Sequence, residues 1–440
     1  MRNRTQEKLL KTSLFVITLV MIVLRFLLNE KGRVTPDSIR FMRQANVFPE
    51  IDNTTAPLLY PLFIKIFSFF SDEFWASKIV GILSYLFIIF FAWKKKFYFR
   101  ESLLVGGLFS IVSLFAATLS EALFLPFLFW FLYISRKVLL EEYSKILGIL
   151  LLSLSLILLF NIRYSGLFFM GGIFGFGLLN FKKNYTKIYM ISAFIGFLYV
   201  AGYKIFFINE FNQDYVKKFL EIGLKSTSTL VSEFFVAITT SFNPFIHIPN
   251  PNGGILNVGI LGIGAFNIAL IIFIFIKNKL SATEKMIIFL SLFGIFCSFF
   301  IQYFYQTDAL DYRLLSPFTF GIWLVYFKKL HQIFGKLVFA ITFMSLLTGF
   351  AFSWLSRGNY LENRIAMKHF LTQEKLLHQK IYYYKDKKDE NFSSVQLAEL
   401  ISTVNPRIYF TENEKDTLKK EVLTKFKIES KLKLKKNRFQ

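Results

Sequence analysis

Four charged side chains stand apart in a sequence that is otherwise apolar around them: Asp37, Glu121, Arg163 and Arg313. Asp37 lies in Thr35-Pro36-Asp37-Ser38, just after the first apolar run. A carboxylate at a membrane surface, in a partly water-excluded site, can take the proton of an attacking hydroxyl. Pro-Asp-Ser is equally a turn or helix-cap composition. Glu121, in Thr118-Leu119-Ser120-Glu121-Ala122-Leu123-Phe124, falls between two apolar runs, where an ionisable group is costly unless it is paired or bound. The same position suits a carboxylate at a helix N-terminus with Ser120 as its cap. Arg163, in Asn161-Ile162-Arg163-Tyr164-Ser165-Gly166, and Arg313, in Asp311-Tyr312-Arg313-Leu314-Leu315-Ser316-Pro317, both end apolar runs. Guanidinium groups at this depth snorkel to headgroups or recognise a phosphate with two parallel hydrogen bonds. Asp308 and Asp311 are close enough in sequence to neutralise Arg313. His247 is one of four histidines, has no partner at metal-ligand spacing and reads first as a loop residue, with a site role as the alternative. No Walker loop, zinc motif or serine triad occurs.

The elements that must position these residues are membrane helices. Hydrophobic residues make up 54% of the 440 positions and charged ones 18%, too apolar for a soluble chain. Repeated apolar runs of about 17 to 23 residues match the thickness of a hydrocarbon core, and backbone groups there must pair internally. The expectation is an all-α polytopic membrane protein with about eleven transmembrane helices, near 9–28, 74–93, 102–119, 121–134, 145–161, 165–180, 187–207, 255–276, 285–304, 314–327 and 336–355. The first run follows Arg2, Arg4, Lys8 and Lys11 but lacks a small-residue cleavage site, so it reads as a retained helix. Most of the 58 Phe and 20 Tyr lie in these runs as lipid-facing or packing side chains.

Lys and Arg total 52 against 29 acids. With a cytoplasmic N-terminus, the inside connections carry Lys94 to Lys96 with Arg100, Arg136-Lys137, Lys182-Lys183, Lys277 with Lys279, and Lys328-Lys329, as the positive-inside rule requires. No basic stripe occurs on a separate soluble fold, which argues against nucleic acid as a partner. Cys297, alone of its kind, excludes an internal disulfide. Three longer segments fall outside: 29–73, 208–254 and the basic tail 356–440, expected as a small, partly disordered extracytoplasmic region following a membrane domain over 1–355. The stretch Ala56 to Ser71 contains Pro57, Pro61 and Lys65 and reads as a juxtamembrane or re-entrant helix.

Taken in order, these patches resemble the GT-C glycosyltransferases, especially protein O-mannosyltransferases and lipid A aminoarabinose transferases. Asp37 stands where that class keeps a catalytic acid in its first outer loop. Ala56-Pro57-Leu58-Leu59-Tyr60-Pro61 resembles its Pro-Pro-Leu-Tyr-Pro signature, with Ala at the first position, and Thr118 to Phe124 is similar to the stretch carrying a second acid. Arg163-Tyr164-Ser165-Gly166 and Tyr312-Arg313-Leu314-Leu315-Ser316-Pro317 resemble two further patches, the second with Arg and aromatic exchanged. Ser38 departs from the Asp-Glu pair common in mannosyltransferases. The resemblance implies inverting transfer of a sugar from a polyprenyl phosphate to a hydroxyl of a glycan, lipid or protein, at the outer face of a bacterial plasma membrane. Asp37 would be the base. Glu121 would orient the acceptor or, with Asp37, help hold a divalent cation such as Mg or Mn, while Arg163, Arg313, Tyr164 and Tyr312 would bind the donor phosphate. A transporter or lipid flippase is the alternative, with the same charges lining a substrate route.

Overall fold

The computed structural model describes residues 2–52, 56–211, 222, 223, 225–248, 253–305, 307, 309–386, 389, 393–419 and 422–437. Asp308 lies outside them, as does part of the second outer segment.

The apolar runs fold as helices. α1 (Arg2–Leu27) is followed by two short outer helices, α2 (Pro36–Val47) and α3 (Leu59–Ser68), the latter being the expected juxtamembrane element. α4 (Glu73–Lys95) is capped by the Asp72 carboxylate, which accepts from the Trp75 amide at 3.0 Å, and ends on Lys94 and Lys95, which complement the helix dipole. α5 (Phe99–Gly106) and α6 (Phe109–Ala116) follow, then α7 (Ser120–Leu139), α8 (Lys145–Ile162), α9 (Gly166–Leu179) and α10 (Thr186–Tyr203). α11 (Thr227–Ser241) lies in the second outer segment. α12 (Gly254–Lys277), α13 (Ala282–Phe304), α14 (Tyr312–Phe334) and α15 (Val338–Leu355) complete the membrane part. Apolar side chains of nearly all these helices form one continuous core.

Eight helices among the described residues are long and apolar enough to cross a membrane, or nine if one bent pair counts as a span. The expected count of eleven is not established, and the reasons are local. The run 102–119 is the bent pair: α5 and α6 meet at 77°. A Cβ on Gly107 would come within 2.5 Å of the Thr342 methyl group, so the corner packs against α15 without room for a side chain. The backbone groups freed by the bend are met by α15 hydroxyls: the Phe109 amide donates to Ser345 Oγ at 2.9 Å, and Thr342 Oγ1 donates to the Leu104 carbonyl at 3.2 Å. The run 165–180 is α9, at 14 residues short of a span. The last two runs form a continuous stretch from Tyr312 to Leu355, broken only around Gly335, whose φ of 57° suits glycine.

The tail adds α16 (Tyr360–Gln373), β1 (Ile381–Tyr384), α17 (Gln396–Ser402), β2 (Ile408–Thr411), β3 (Val422–Leu423) and α18 (Lys425–Glu429). The strands form a small parallel sheet in the order β2-β1-β3, with Ile381 opposite Ile408 and Tyr382 opposite Val422. The chain is therefore all-α in the membrane and mixed outside it. The outer unit has its own core, and Val34, Ile39 and Met42 of the first outer segment, with Phe74 at the start of α4, are part of that core. Polar ties repeat the connection: Arg43 Nη1 donates to the Ile408 carbonyl at 2.8 Å, and Arg407 Nε donates to Asn46 Oδ1 at 2.8 Å. α2, which carries Asp37, is thus clamped between the membrane core and the tail.

Candidate active site

Asp37 sits in the first turn of α2. Pro36 opens the helix with its φ already set and its missing N–H not needed, and the helix dipole favours a carboxylate at this point. Ser38 Oγ accepts from the Thr35 amide at 2.9 Å and donates to the Thr118 carbonyl at 2.7 Å. Ser38 therefore fastens the Asp37 turn to the turn before Glu121. Lys78, buried within α4, supports that second turn by donating to the Ala116 carbonyl at 2.9 Å and to Thr118 Oγ1 at 3.0 Å.

Glu121 opens α7, with Leu119 rather than Ser120 at the cap position. Its side chain is 2% exposed and carries two guanidinium contacts, Arg163 Nη1 at 2.5 Å and Arg313 Nε at 3.6 Å. Arg163 is presented by the C-terminal end of α8, where the helix stops and the chain becomes extended. Arg313 opens α14, whose N-cap is Asp311; the Asp311 carboxylate accepts from the Leu314 amide at 2.8 Å and approaches Arg313 Nε at 3.7 Å. Arg313 Nη1 then reaches Asp37 Oδ2 at 3.1 Å. Four residues from four separate parts of the chain form one ion-pair network on one face. The Asp37 side chain, 45% exposed, is its open end.

The two tyrosines go elsewhere. Tyr164 packs on Phe160 and Tyr203, 5.2 and 6.4 Å between ring centroids. Tyr312 packs on His247 in a tilted pair, 4.1 Å between ring centroids. His247 is 1% exposed, lies against Phe109 at 4.7 Å on its other side, and neither ring nitrogen has a hydrogen-bond partner in the described structure. Burial, reinforced by the Arg25 and Arg33 charges, holds its imidazole well below the usual range. His247 is therefore a neutral ring wedged behind the residue next to Arg313. As metal ligands, Asp37 and Glu121 fit poorly: Arg313 bridges them, and no group of three candidate ligands converges among the described residues.

An apolar cavity of about 570 Å³ is walled by Phe63 and Phe67 of α3, Leu83 and Phe87 of α4, and Leu123 and Trp130 of α7. α7 thus carries Glu121 in its first turn and, further along, Leu123 and Trp130 of the cavity wall. The Tyr60 phenol of α3 is fully buried nearby, pushed up by burial and by the Glu121 charge.

Over 94% of its length, this chain superposes on 87% of ArnT from Cupriavidus metallidurans bound to undecaprenyl phosphate, with a TM-score of 0.55 and 10% identity. The two share a fold. The apo state of ArnT covers the same shares at a TM-score of 0.45 and 11% identity. No family model and no curated protein matches the sequence. The polytopic membrane architecture expected from the apolar runs is present, and the fold shared with ArnT extends through nearly the whole chain.

Sequence reading missed Ser38, Thr118 and Lys78. Lys78 had a signal, a lysine inside an apolar span. The other two had none, since Thr118 lies 80 positions from Ser38 and 40 from Lys78.

Proposed function

We propose that the protein is a glycosyltransferase that moves a sugar from a polyprenyl-phosphate donor to an acceptor hydroxyl at the extracytoplasmic face. The observation that carries this reading is the Asp37–Arg313–Glu121–Arg163 network, anchored on the first turn of the helix α7 that also walls an apolar cavity. Each part has a chemical use. The cavity takes the prenyl chain. The two guanidiniums take the phosphate, which is where negative charge grows as the glycosidic bond breaks. The ArnT that shares the fold was solved bound to undecaprenyl phosphate, a ligand of this class.

In this mechanism the donor phosphate draws Arg313 away from Asp37, leaving Asp37 Oδ2 free to accept the hydroxyl proton. The acceptor oxygen attacks the anomeric carbon from the side opposite the phosphate. The carbon–oxygen bond to phosphate breaks, its electron pair passes to the phosphate oxygen, and Arg163 and Arg313 neutralise the released polyprenyl phosphate. The sugar inverts. Glu121, buried and held by both arginines, keeps them at the right spacing rather than touching the acceptor. No step requires a metal ion between the two acids.

The test is sugar transfer by purified, reconstituted protein across a panel of polyprenyl-phosphate sugars and membrane acceptors. Asp37→Asn is expected to lower transfer by roughly 10²- to 10⁴-fold, the usual range for a lost general base, while donor binding persists. Full transfer by Asp37→Asn would reassign the base. Absence of transfer with every donor, in folded protein, would favour transport.

A further inference from the structure

A second cavity, of about 690 Å³, lies on the outer unit away from the apolar one, between the start of the first outer segment, α16, α17 and the end of the tail. Its volume falls in the range of small-molecule sites. Its lining is chemically mixed: lysines, leucines such as Leu397 and Leu400, and two carboxylates, Glu30 and Glu429, the second 3.9 Å from Lys436. Of the other lysines, Lys31 pairs with Glu399 at 2.5 Å and Lys435 pairs with Glu362. Lys425 and Lys433 have no carboxylate partner among the described residues. Glu30 is 8% exposed, and its Oε2 is buried without a hydrogen-bond partner.

A buried carboxylate oxygen left unpaired is costly, and a ligand that donates to it removes the cost. Hydroxyl groups donate; a bare anion does not. Free lysines call for the opposite chemistry, a negative group. The leucines suit the apolar face of a sugar ring. We propose that this cavity binds an acidic saccharide, its carboxylate or phosphate on Lys425 and Lys433 and its hydroxyls on Glu30. Resting on the transferase reading above, the site holds one acidic residue of the acceptor glycan while a neighbouring hydroxyl reaches Asp37.

The connection between the two places is short. Lys31 is six residues from Asp37, at most about 20 Å along an extended chain. Asn29 Oδ1 accepts from the Lys31 and Arg33 amides, both at 3.0 Å, and the Arg33 carbonyl accepts from the Thr118 amide at 3.2 Å. Occupancy of the cavity therefore bears on the same turn that Ser38 ties to Asp37.

The experiment is calorimetric titration of the full chain in zwitterionic nanodiscs with glucose 6-phosphate, glucuronate, glucose and inorganic phosphate. At least one acidic sugar is expected to bind saturably, roughly ten-fold or more tighter than glucose or phosphate, and the two acidic sugars rank phosphate against carboxylate. The double variant Lys425→Gln/Lys433→Gln, at exposed positions, is expected to weaken that binding by roughly ten-fold or more. Glu30→Gln is expected to weaken the sugars but not phosphate. Binding should persist in Asp37→Asn, which separates this site from the transfer chemistry. With an acidic acceptor the lysine variant should raise KM and leave kcat unchanged. No saturable binding, equal binding of phosphate and sugar phosphate, or indifference to the lysine variant would each overturn the proposal, whatever the outcome of the transfer assay.

Discussion

Glu121 is the residue on which the network balances. Three carboxylates, Asp37, Glu121 and Asp311, face two guanidiniums, and only Glu121 touches both. Removing one partner of a buried ion pair strands the other, a cost of about 3–5 kcal/mol when both are deeply buried. Here the arginine side chains are 17% and 22% exposed, so Glu121→Gln is expected to cost less, about 2–3 kcal/mol, read as a lower thermal midpoint together with weaker donor binding. His247 makes a separate prediction. Its folded pKa is depressed, so the unfolded chain takes up the proton first as pH falls. The stability it allows is present above about pH 6.5, the ordinary histidine value, and is lost below that by up to about 1.4 kcal/mol per pH unit. His247→Phe, which sacrifices no hydrogen bond, should flatten the wild-type decline in thermal midpoint between about pH 7 and 5. An identical decline in both proteins would assign it to other groups. The charged members of the site were legible in the sequence because a charge in an apolar context is expensive and therefore conspicuous. The pairing was not, because Arg313 and Asp37 are separated by 276 positions.

At the scale of elements, the turn between α6 and α7 is held from two sides, by Ser38 from α2 and by Lys78 from α4. Lys78→Met keeps the volume and removes the donor. It removes the Lys78 donor from the Ala116 carbonyl and leaves the Thr118 hydroxyl with Ser77 alone, and is expected to cost about 1–3 kcal/mol, with transfer falling more than donor affinity because the two acids lose their relative placement. Retained activity and stability would reduce Lys78 to packing. Helix positions were readable from apolar run length, including the short α3 with its prolines. The bend between α5 and α6 was not, since 102–119 reads as one apolar run and the cause of the bend lies in α15. The sheet of the tail was hidden for a related reason. Its strands are 4, 4 and 2 residues long, set among lysines, and only their parallel pairing across long connections makes them a sheet.

For the whole molecule, the distribution of lysine and arginine makes a prediction about sidedness. With Cys297 replaced by Ser, a cysteine at the exposed Lys415 should react with an impermeant maleimide in intact cells, and one at Lys94 only after permeabilisation. The reverse pattern would invert the orientation and with it the face on which transfer occurs. The corner between α5 and α6 also has a consequence in time. Its backbone partners, Thr342 and Ser345, are 238 and 236 residues further along the chain. At a synthesis rate of about 5–20 residues per second, that distance corresponds to roughly 12–48 s. Throughout that interval the run 102–119 lacks the hydroxyls that meet its bent backbone, so the corner is completed only when the last helix arrives. A ribosome that stalls or terminates before α15 thus leaves a chain in which this corner cannot form as it does in the finished protein, a natural mark by which quality control can tell an incomplete product from a finished one.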